Sequence, residues 1–258
     1  VVASASPYPS ELPDDPDELV LDQPAERSGL EELASARGVI DHSGPYPVIT
    51  ADLQASGRTS DVQAVGRDAA PASVDQPELI QGSWVSDGGV VVEAAFAKAL
   101  DVGVGDPVTL DGRSFEVVGV AVTAAMPPYP DASCFFPCRV GVPRDQVADA
   151  QLPQGMVHDP GLVWLTEADV RSLTPDPDSL AFVMNLKLAD PGSAQAFVDA
   201  TQAASRAAPN LQSWESILEE TTELARDAQI LLMIGAWLLG LLAVASVSVL
   251  VGGRMADQ

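Results

Sequence analysis

The sequence is poor in the residues that do chemistry. Its 258 residues include two histidines, His42 and His158, two cysteines, Cys134 and Cys138, and two lysines, Lys98 and Lys187. A Ser–His–Asp triad has to use one of those histidines. Each stands beside an aspartate in a loop-like stretch, away from any nucleophile-elbow pattern, so neither is a catalytic candidate. No Gly-x-x-x-x-Gly-Lys-Ser/Thr segment occurs, which excludes ATP binding by a P-loop. Positive charge is scarce as well: Lys+Arg is 13 against Asp+Glu 37, a net charge of −24. A surface this acidic repels phosphate backbones, so nucleic acid is not a partner. Asp14-Asp15 and Glu219-Glu220 read as solvated faces. The cluster Asp14, Asp15, Asp17, Glu18 lacks the glycine turn and distal Glu of a calcium loop. No catalytic, cofactor or metal site is assigned.

Long apolar runs are absent except at one place. Ile230 to Val251 is 22 residues without a charge. As a helix it rises about 33 Å, which matches a hydrocarbon core of roughly 30 Å. It reads as a transmembrane helix at 230–251, with 252–258 as the cytoplasmic start. The chain opens on Val1 and stops seven residues past the span, so it reads as a fragment of a larger membrane protein. Arg226 and Arg254 tie across the span, so counting bases does not orient it. The acidity does: a domain of −24 is repelled by an anionic cytoplasmic leaflet. Residues 1–229 are therefore expected outside the cytoplasm, on a protein of the cell membrane. The two cysteines lie together in the Pro-rich stretch PPYPDASCFFPC. Two free thiols or half of a metal site are the alternatives. With no His or Cys nearby to complete a zinc set, and an oxidising compartment expected, a Cys134–Cys138 disulfide is the favoured reading.

Along the chain, residues 3–27 read as an extended lead-in. Ser28 is expected to cap a helix from Gly29 to Arg37. Strands are expected at Val48–Leu53 and Val62–Gly66, joined by a turn at Ala55-Ser56-Gly57-Arg58. A linker, Pro71 to Pro77, follows. Asp87-Gly88-Gly89 leads to the strand Val90-Val91-Val92, then to a short helix from Glu93 to Leu100. Pro107–Leu110 and Ser114–Val122 flank Asp111-Gly112, the strongest short hairpin signal in the chain. Residues 124–160 read as a long exposed loop. A strand at Gly161–Leu165 is followed by a helix capped by Thr166, with Asp169 three residues on. Leu180 to Leu188 alternates as a strand, with Phe182, Met184, Leu186 and Leu188 on one face. An Ala-rich helix runs to Ala207. Ser213 is expected to cap a last helix from Trp214, with Ile217, Leu218 and Leu224 as part of an apolar stripe, and no breaker before Val251. That stalk joins outer domain and membrane without a hinge.

The block GSWVSDGGVVVEAAFAKALDVGVGDPVTLDGRSFEVVGVAVT resembles the extracytoplasmic domain of MacB/FtsX-like ABC transporter permeases. The matching positions are Gly82, Trp84, Val91, Val92, Glu93, Phe96, Ala97, Leu100, Val102, Gly105, Asp106, Val108, Leu110, Phe115, Val117, Val118, Gly119 and Val120. The terminal VLVGGRMADQ is similar to the inner end of that family's second membrane helix. The resemblance implies an α+β fold: a split α/β outer lobe, 28–77 with 178–212, and an inserted β-rich lobe, 78–177. Residues 1–27 lead in after a first membrane helix, and a stalk, 213–229, runs into the span. It further implies that the chain is no enzyme, that a separate cytoplasmic ABC ATPase subunit hydrolyses ATP, and that the permease is a dimer in the bilayer. Its cargo would be a lipid, lipoprotein, peptide or drug. The product would be export or mechanical signalling. The alternative is the sensing domain of a membrane receptor such as a two-component kinase.

Overall fold

The computed structural model describes residues 1–7, 23–126, 128–129, 160–204, 209–216, 218, 229 and 232–239. It divides the chain into two compact units, Val1–Glu215 and Ser216–Gln258. The first unit is a mixed α+β fold built on one sheet of ten strands. In chain order the elements are β1 Val2–Ala5, helix α1 Arg27–Ala34, β2 Val39–Ala55, β3 Arg58–Arg67, β4 Glu78–Gly82 and β5 Gly89–Glu93. Then come α2 Ala94–Leu100, β6 Pro107–Leu110, β7 Arg113–Val122, β8 Gly161–Thr166, α3 Glu167–Leu173, β9 Ala181–Leu188, α4 Ala194–Ala204 and β10 Asn210–Gln212.

The strand order is β10-β1-β9-β2-β3-β8-β5-β7-β4. The fourth and eighth positions of this path, β2 and β7, are tied back together, because β6 pairs with both. Strands β2, β3, β8, β5, β7 and β6 thus form a closed circuit of hydrogen bonds. Closure removes the edges these strands would otherwise present. It also joins the residues expected in the α/β lobe (β1, β2, β3, β9, β10) to those expected in the inserted lobe (β4 to β8). The six-residue parallel pairing of β3 with β8 is the second seam between them.

The two tight turns come from the sequence directly. Ser56 and Gly57 have φ of 51° and 74°, and Asp111 and Gly112 have 45° and 79°. Two consecutive left-handed residues make the turn whose twist matches a hairpin. Asp111 also accepts a hydrogen bond on Oδ1 from the Asp52 amide at 2.9 Å, and its own amide donates to the Asp52 carbonyl at 3.1 Å. The same Asp-Gly turn thereby fastens β6 to β2 and helps close the circuit.

The four helices described in the first unit pack on one face. Leu30 and Leu33 of α1, Phe96 and Leu100 of α2, Val170 and Leu173 of α3, and Val198 of α4 belong to one cluster with Leu53, Val62, Val90, Val117 and Leu165. Helices gathered on one face of a largely antiparallel sheet are the usual α+β solution. Alternate strand residues form the second cluster on the other face: Tyr46, Val48, Val65, Val91, Leu162, Trp164 and Val183, with Val85 and Met126 from connecting segments. Helix α2 fits because Gly161 has no side chain: a Cβ there would lie 2.4 Å from the Phe96 ring. Phe96 is fully buried, and truncation of such a ring costs about 3–5 kcal/mol.

Helix starts follow local chemistry, with two departures from expectation. Glu93 caps α2, its carboxylate accepting from the amides of Ala95 at 3.0 Å and Phe96 at 2.8 Å. Thr166 caps α3 by accepting from the Asp169 amide at 3.2 Å. Asp169 does more than complete that cap: its Oδ2 accepts from the Thr166 hydroxyl at 2.8 Å and from the Gly88 amide at 3.2 Å, tying α3 to the turn before β5. Ser28 does not cap α1. The helix starts at Arg27, and Glu26 at its cap makes no side-chain hydrogen bond. An exposed Arg27–Glu31 pair at 2.9 Å, one turn apart, lies in the first turns of that helix. The lead-in is also not wholly extended coil, since Val2–Ala5 is a paired strand.

In the second unit, residues 218, 229 and 232–239 are helical. Leu232, Met233, Ile234, Trp237, Leu238 and Leu239 are all exposed. Among the described residues no helix is long and apolar enough to cross a membrane. The remainder of the expected span, with 252–258, lies outside the described residues.

Candidate functional site

Strand β1 lies between β9 and β10, with Val2 opposite Gln212 and Ser4 opposite Asn210. The pairing is antiparallel, so the first residue of β1 and the last residue of β10 are partners. The chain therefore enters and leaves the sheet at one point. Ala3 and Leu211, facing each other, are buried in the helix-covered cluster. The backbone nitrogen of Val1 donates to the Leu186 carbonyl at 2.9 Å, extending the β1–β9 ladder by one residue.

The exit is held by polar contacts to α4 and the turn before it. Ser213 is buried and its hydroxyl donates to Gln195 Oε1 at 2.9 Å. The Trp214 indole N–H donates to the Pro191 carbonyl at 3.2 Å, while its ring is 46% exposed. Gln202 Nε2 donates to the Leu211 carbonyl at 3.4 Å. Of the expected stalk residues, Trp214 is thus an anchor of the exit, and Leu218 is helical and exposed. Ile217 and Leu224 lie outside the described residues, as do Cys134 and Cys138. Residues 214–216 are helical immediately after β10.

A second constellation sits on the face without helices. Arg67 ends β3 and is 3% exposed. Its guanidinium carbon lies 4.5 Å from the Tyr46 ring centroid. One nitrogen donates to the Asp75 carbonyl, and another stands 3.8 Å from the Asp75 carboxylate. Ser43 Oγ donates to the Val74 carbonyl at 2.7 Å, and the Ala72 amide donates to Gln76 Oε1 at 2.8 Å. The Arg67 and Ser43 contacts strap the linker between β3 and β4 onto the sheet, and the Ala72–Gln76 bond closes a turn within it. Burial pushes the Asp75 carboxyl up to about 6, against the opposing pull of Arg67. Burial also raises the Tyr46 phenol and lowers the Arg67 guanidinium. These shifts arise where an ion pair and a phenol are buried together against the sheet. Nothing in the local sequence announces it, because Arg67 and Asp75 meet only when the linker folds back. The nearby Trp84 indole N–H donates to the Asp68 carbonyl at 3.0 Å, and its ring lies 6.2 Å from that of Trp164.

His42 lies exposed on β2, and its amide donates to Asp41 Oδ1 at 2.9 Å. His158 lies outside the described residues. Among the described residues no group of His, Cys, Asp and Glu could hold a metal ion. A shallow hollow of about 430 Å³ beside the Ser56-Gly57 turn is lined by Gln54, Arg58, Thr59, Pro107 and Ser114. Arg58 is already engaged there, donating to the Ala99 carbonyl at 2.6 Å. The first and last strands of the first unit thus lie side by side at one end of the strand path.

The extracellular domain of the noncanonic ABC-type transporter YknZ from Gram-positive bacteria is similar in structure: 10% identical, covering 82% of this chain and 100% of that one, with a TM-score of 0.44. The periplasmic region of MacB from Actinobacillus actinomycetemcomitans is 11% identical, covering 86% of this chain and 92% of that one, with a TM-score of 0.43. No curated protein matches the chain in sequence. The family model of the MacB-like periplasmic core domain matches residues 6–204, more than three quarters of the chain. The chain belongs to that family, and its first unit is the extracytoplasmic core domain of a MacB/FtsX-like ABC transporter permease.

Proposed function

We propose that this domain couples ATP hydrolysis by a separate cytoplasmic ABC ATPase to export, or to mechanical signalling, outside the membrane. The observation that carries the reading is the Val2–Gln212 pairing. A domain inserted between two membrane helices must receive and return the chain at neighbouring points, and strands β1 and β10 do so. The exposed apolar residues of 232–239 suit lipid contact, as the first turns of a span over 230–251. The acidity of the chain favours the extracytoplasmic side. In this reading the permease works as a dimer in the cell membrane and moves a lipid, lipoprotein, peptide or drug. The chain itself hydrolyses nothing, and Cys134 and Cys138 are disulfide-bonded.

The test separates transmission from tethering. Glycines at Thr221 and Thr222, in the expected stalk, remove about 1–2 kcal/mol of helix propensity and leave the sheet intact. Membrane insertion and ATPase binding should persist while export, measured per ATP hydrolysed, is lost. Export at the wild-type rate would mean that the segment only tethers the domain. Appreciable ATP turnover by the purified chain would overturn the assignment of the ATPase to another subunit.

A further inference from the structure

We infer that Asp87 is a latent isoaspartate site, held closed by the Asp169 carboxylate. The sequence contains two Asp-Gly pairs, Asp87-Gly88 and Asp111-Gly112. All four residues are exposed. The two glycines hold φ of 70° and 79°, and nothing lies within 4 Å of either Cβ position. A glycine has no side chain to shield its amide, so both turns offer the atoms of one reaction. The glycine nitrogen attacks Cγ of the preceding aspartic acid. The N–C bond forms, the C–OH bond breaks, and the amide proton and the hydroxyl leave together as water. The product is a five-membered imide. Water then opens it at either carbonyl, giving back aspartate or giving isoaspartate, whose main chain runs through the side-chain methylene.

The reaction needs a free amide and a free carboxyl on the same turn, and the fold ties a different one at each. At Asp111 it ties the carboxyl: Oδ1 accepts from the Asp52 amide at 2.9 Å, and the Asp111 amide donates to the Asp52 carbonyl at 3.1 Å. At Asp87 it ties the nucleophile: the Gly88 amide donates to Asp169 Oδ2 at 3.2 Å. The Gly88 carbonyl also accepts from the Glu116 amide at 3.1 Å, and the Gly89 amide donates to the Ser86 carbonyl at 2.8 Å. The peptide plane between Asp87 and Gly88 has to rotate before the nitrogen can reach Cγ. Giving up a hydrogen bond to a charged acceptor is the costly part of that rotation.

The two locks differ in kind. The Asp111 lock uses the main chain of β2 within the closed circuit. The Asp87 lock is a single side chain on α3, 81 positions away in sequence. That side chain is itself positioned, since Asp169 Oδ2 accepts from the Thr166 hydroxyl at 2.8 Å and the Asp169 amide donates to Thr166 Oγ1 at 3.2 Å. The cap of α3 therefore also protects the turn before β5. Isoaspartate at position 87 lengthens the main chain in that turn and carries the Gly88 amide away from Asp169. Once made, the modification unties α3 from β5.

Incubation of the full-length protein in heavy-oxygen water tests this, because each passage through the imide leaves a heavy oxygen on the aspartate or isoaspartate formed. Trypsin cuts after Arg67, Lys98 and Arg113, so peptides 68–98 and 99–113 report the two turns separately, and fragment ions place the label within each. Asp169→Ala should raise the labelling rate at Asp87 about tenfold or more and leave Asp111 unchanged. Asp169→Asn keeps an acceptor oxygen and should stay nearer the wild-type rate. Val170→Ala loosens the buried face of the same helix without removing the carboxylate, and should raise the Asp87 rate far less than Asp169→Ala. An unchanged Asp87 rate in Asp169→Ala overturns the inference. So does an equal rise with Val170→Ala, or a rise at both turns together, which reports loosening of the whole unit. So does a folded wild-type chain that labels Asp87 as fast as the chain unfolded in guanidinium. The readout involves neither ATP nor cargo, so its failure leaves the coupling reading standing.

Discussion

The two ends of the strand path teach opposite lessons. At one end β10 is three residues long, yet Leu211 is buried and the flanking Ser213 and Trp214 are tied to Gln195 and Pro191. At the other end β4 is five residues long and every one of them is exposed. Strand length does not decide which edge is firmly held; burial and polar anchoring do. The anchored edge is where the chain enters and leaves the sheet. Between them the Arg67–Asp75 strap carries the chain from the closed circuit out to β4.

This contrast is broken most severely at the strap. Arg67→Met leaves the Asp75 carboxylate buried without its partner, and at neutral pH should destabilise the first unit by about 3–5 kcal/mol. Chemical denaturation followed by the Trp84 and Trp164 fluorescence reads it. The cost should shrink in acid, where Asp75 is protonated. Leu211→Ala at the anchored edge should cost about 2–5 kcal/mol in the same assay.

Asp75 also makes stability depend on pH. Its carboxyl is raised by burial from 3.8 to about 6 in the folded state, so the folded protein binds that proton more tightly than the unfolded chain. The contribution is fully present below the unfolded value and is lost as pH rises through about 6. A drop on the order of 3 kcal/mol is the upper bound for such a shift. Asp75→Asn should flatten stability across that window, and a slope that survives the substitution would place its origin elsewhere. The smallest effect belongs to the exposed edge. Ile80→Asp should change stability by no more than about 0.5 kcal/mol, because the side chain is exposed.

Local chemistry was legible in the sequence, and long-range pairing was not. The Ser56-Gly57 and Asp111-Gly112 turns, the Thr166 cap and the short helix after Glu93 are written in neighbouring residues. The family block from Gly82 to Val120 covers β5, α2, β6 and β7. Strands β1 and β10 have too few residues for periodicity to show, and both find their place only through each other and β9. Strand β4 is not legible, because Glu-Leu-Ile-Gln-Gly, exposed throughout, carries no alternation. The closure of the circuit depends on Leu53 meeting Leu110 across 57 positions, which no local pattern encodes. A serine before an apolar helix is a good cap in general, but here Ser28 lies inside a helix that starts at Arg27.

The central claim is that the chain enters and leaves the domain side by side. Cysteines at Val2 and Gln212, which face each other across β1 and β10, probe it directly. Cross-strand partners hold their Cβ atoms about 4.5–5.5 Å apart, close enough for a disulfide after a small backbone adjustment. Mild oxidation of the full-length protein in its membrane should join the two cysteines within one chain, with no loss of ATPase binding. Two free thiols after oxidation, or a bond formed only between chains, would contradict the account.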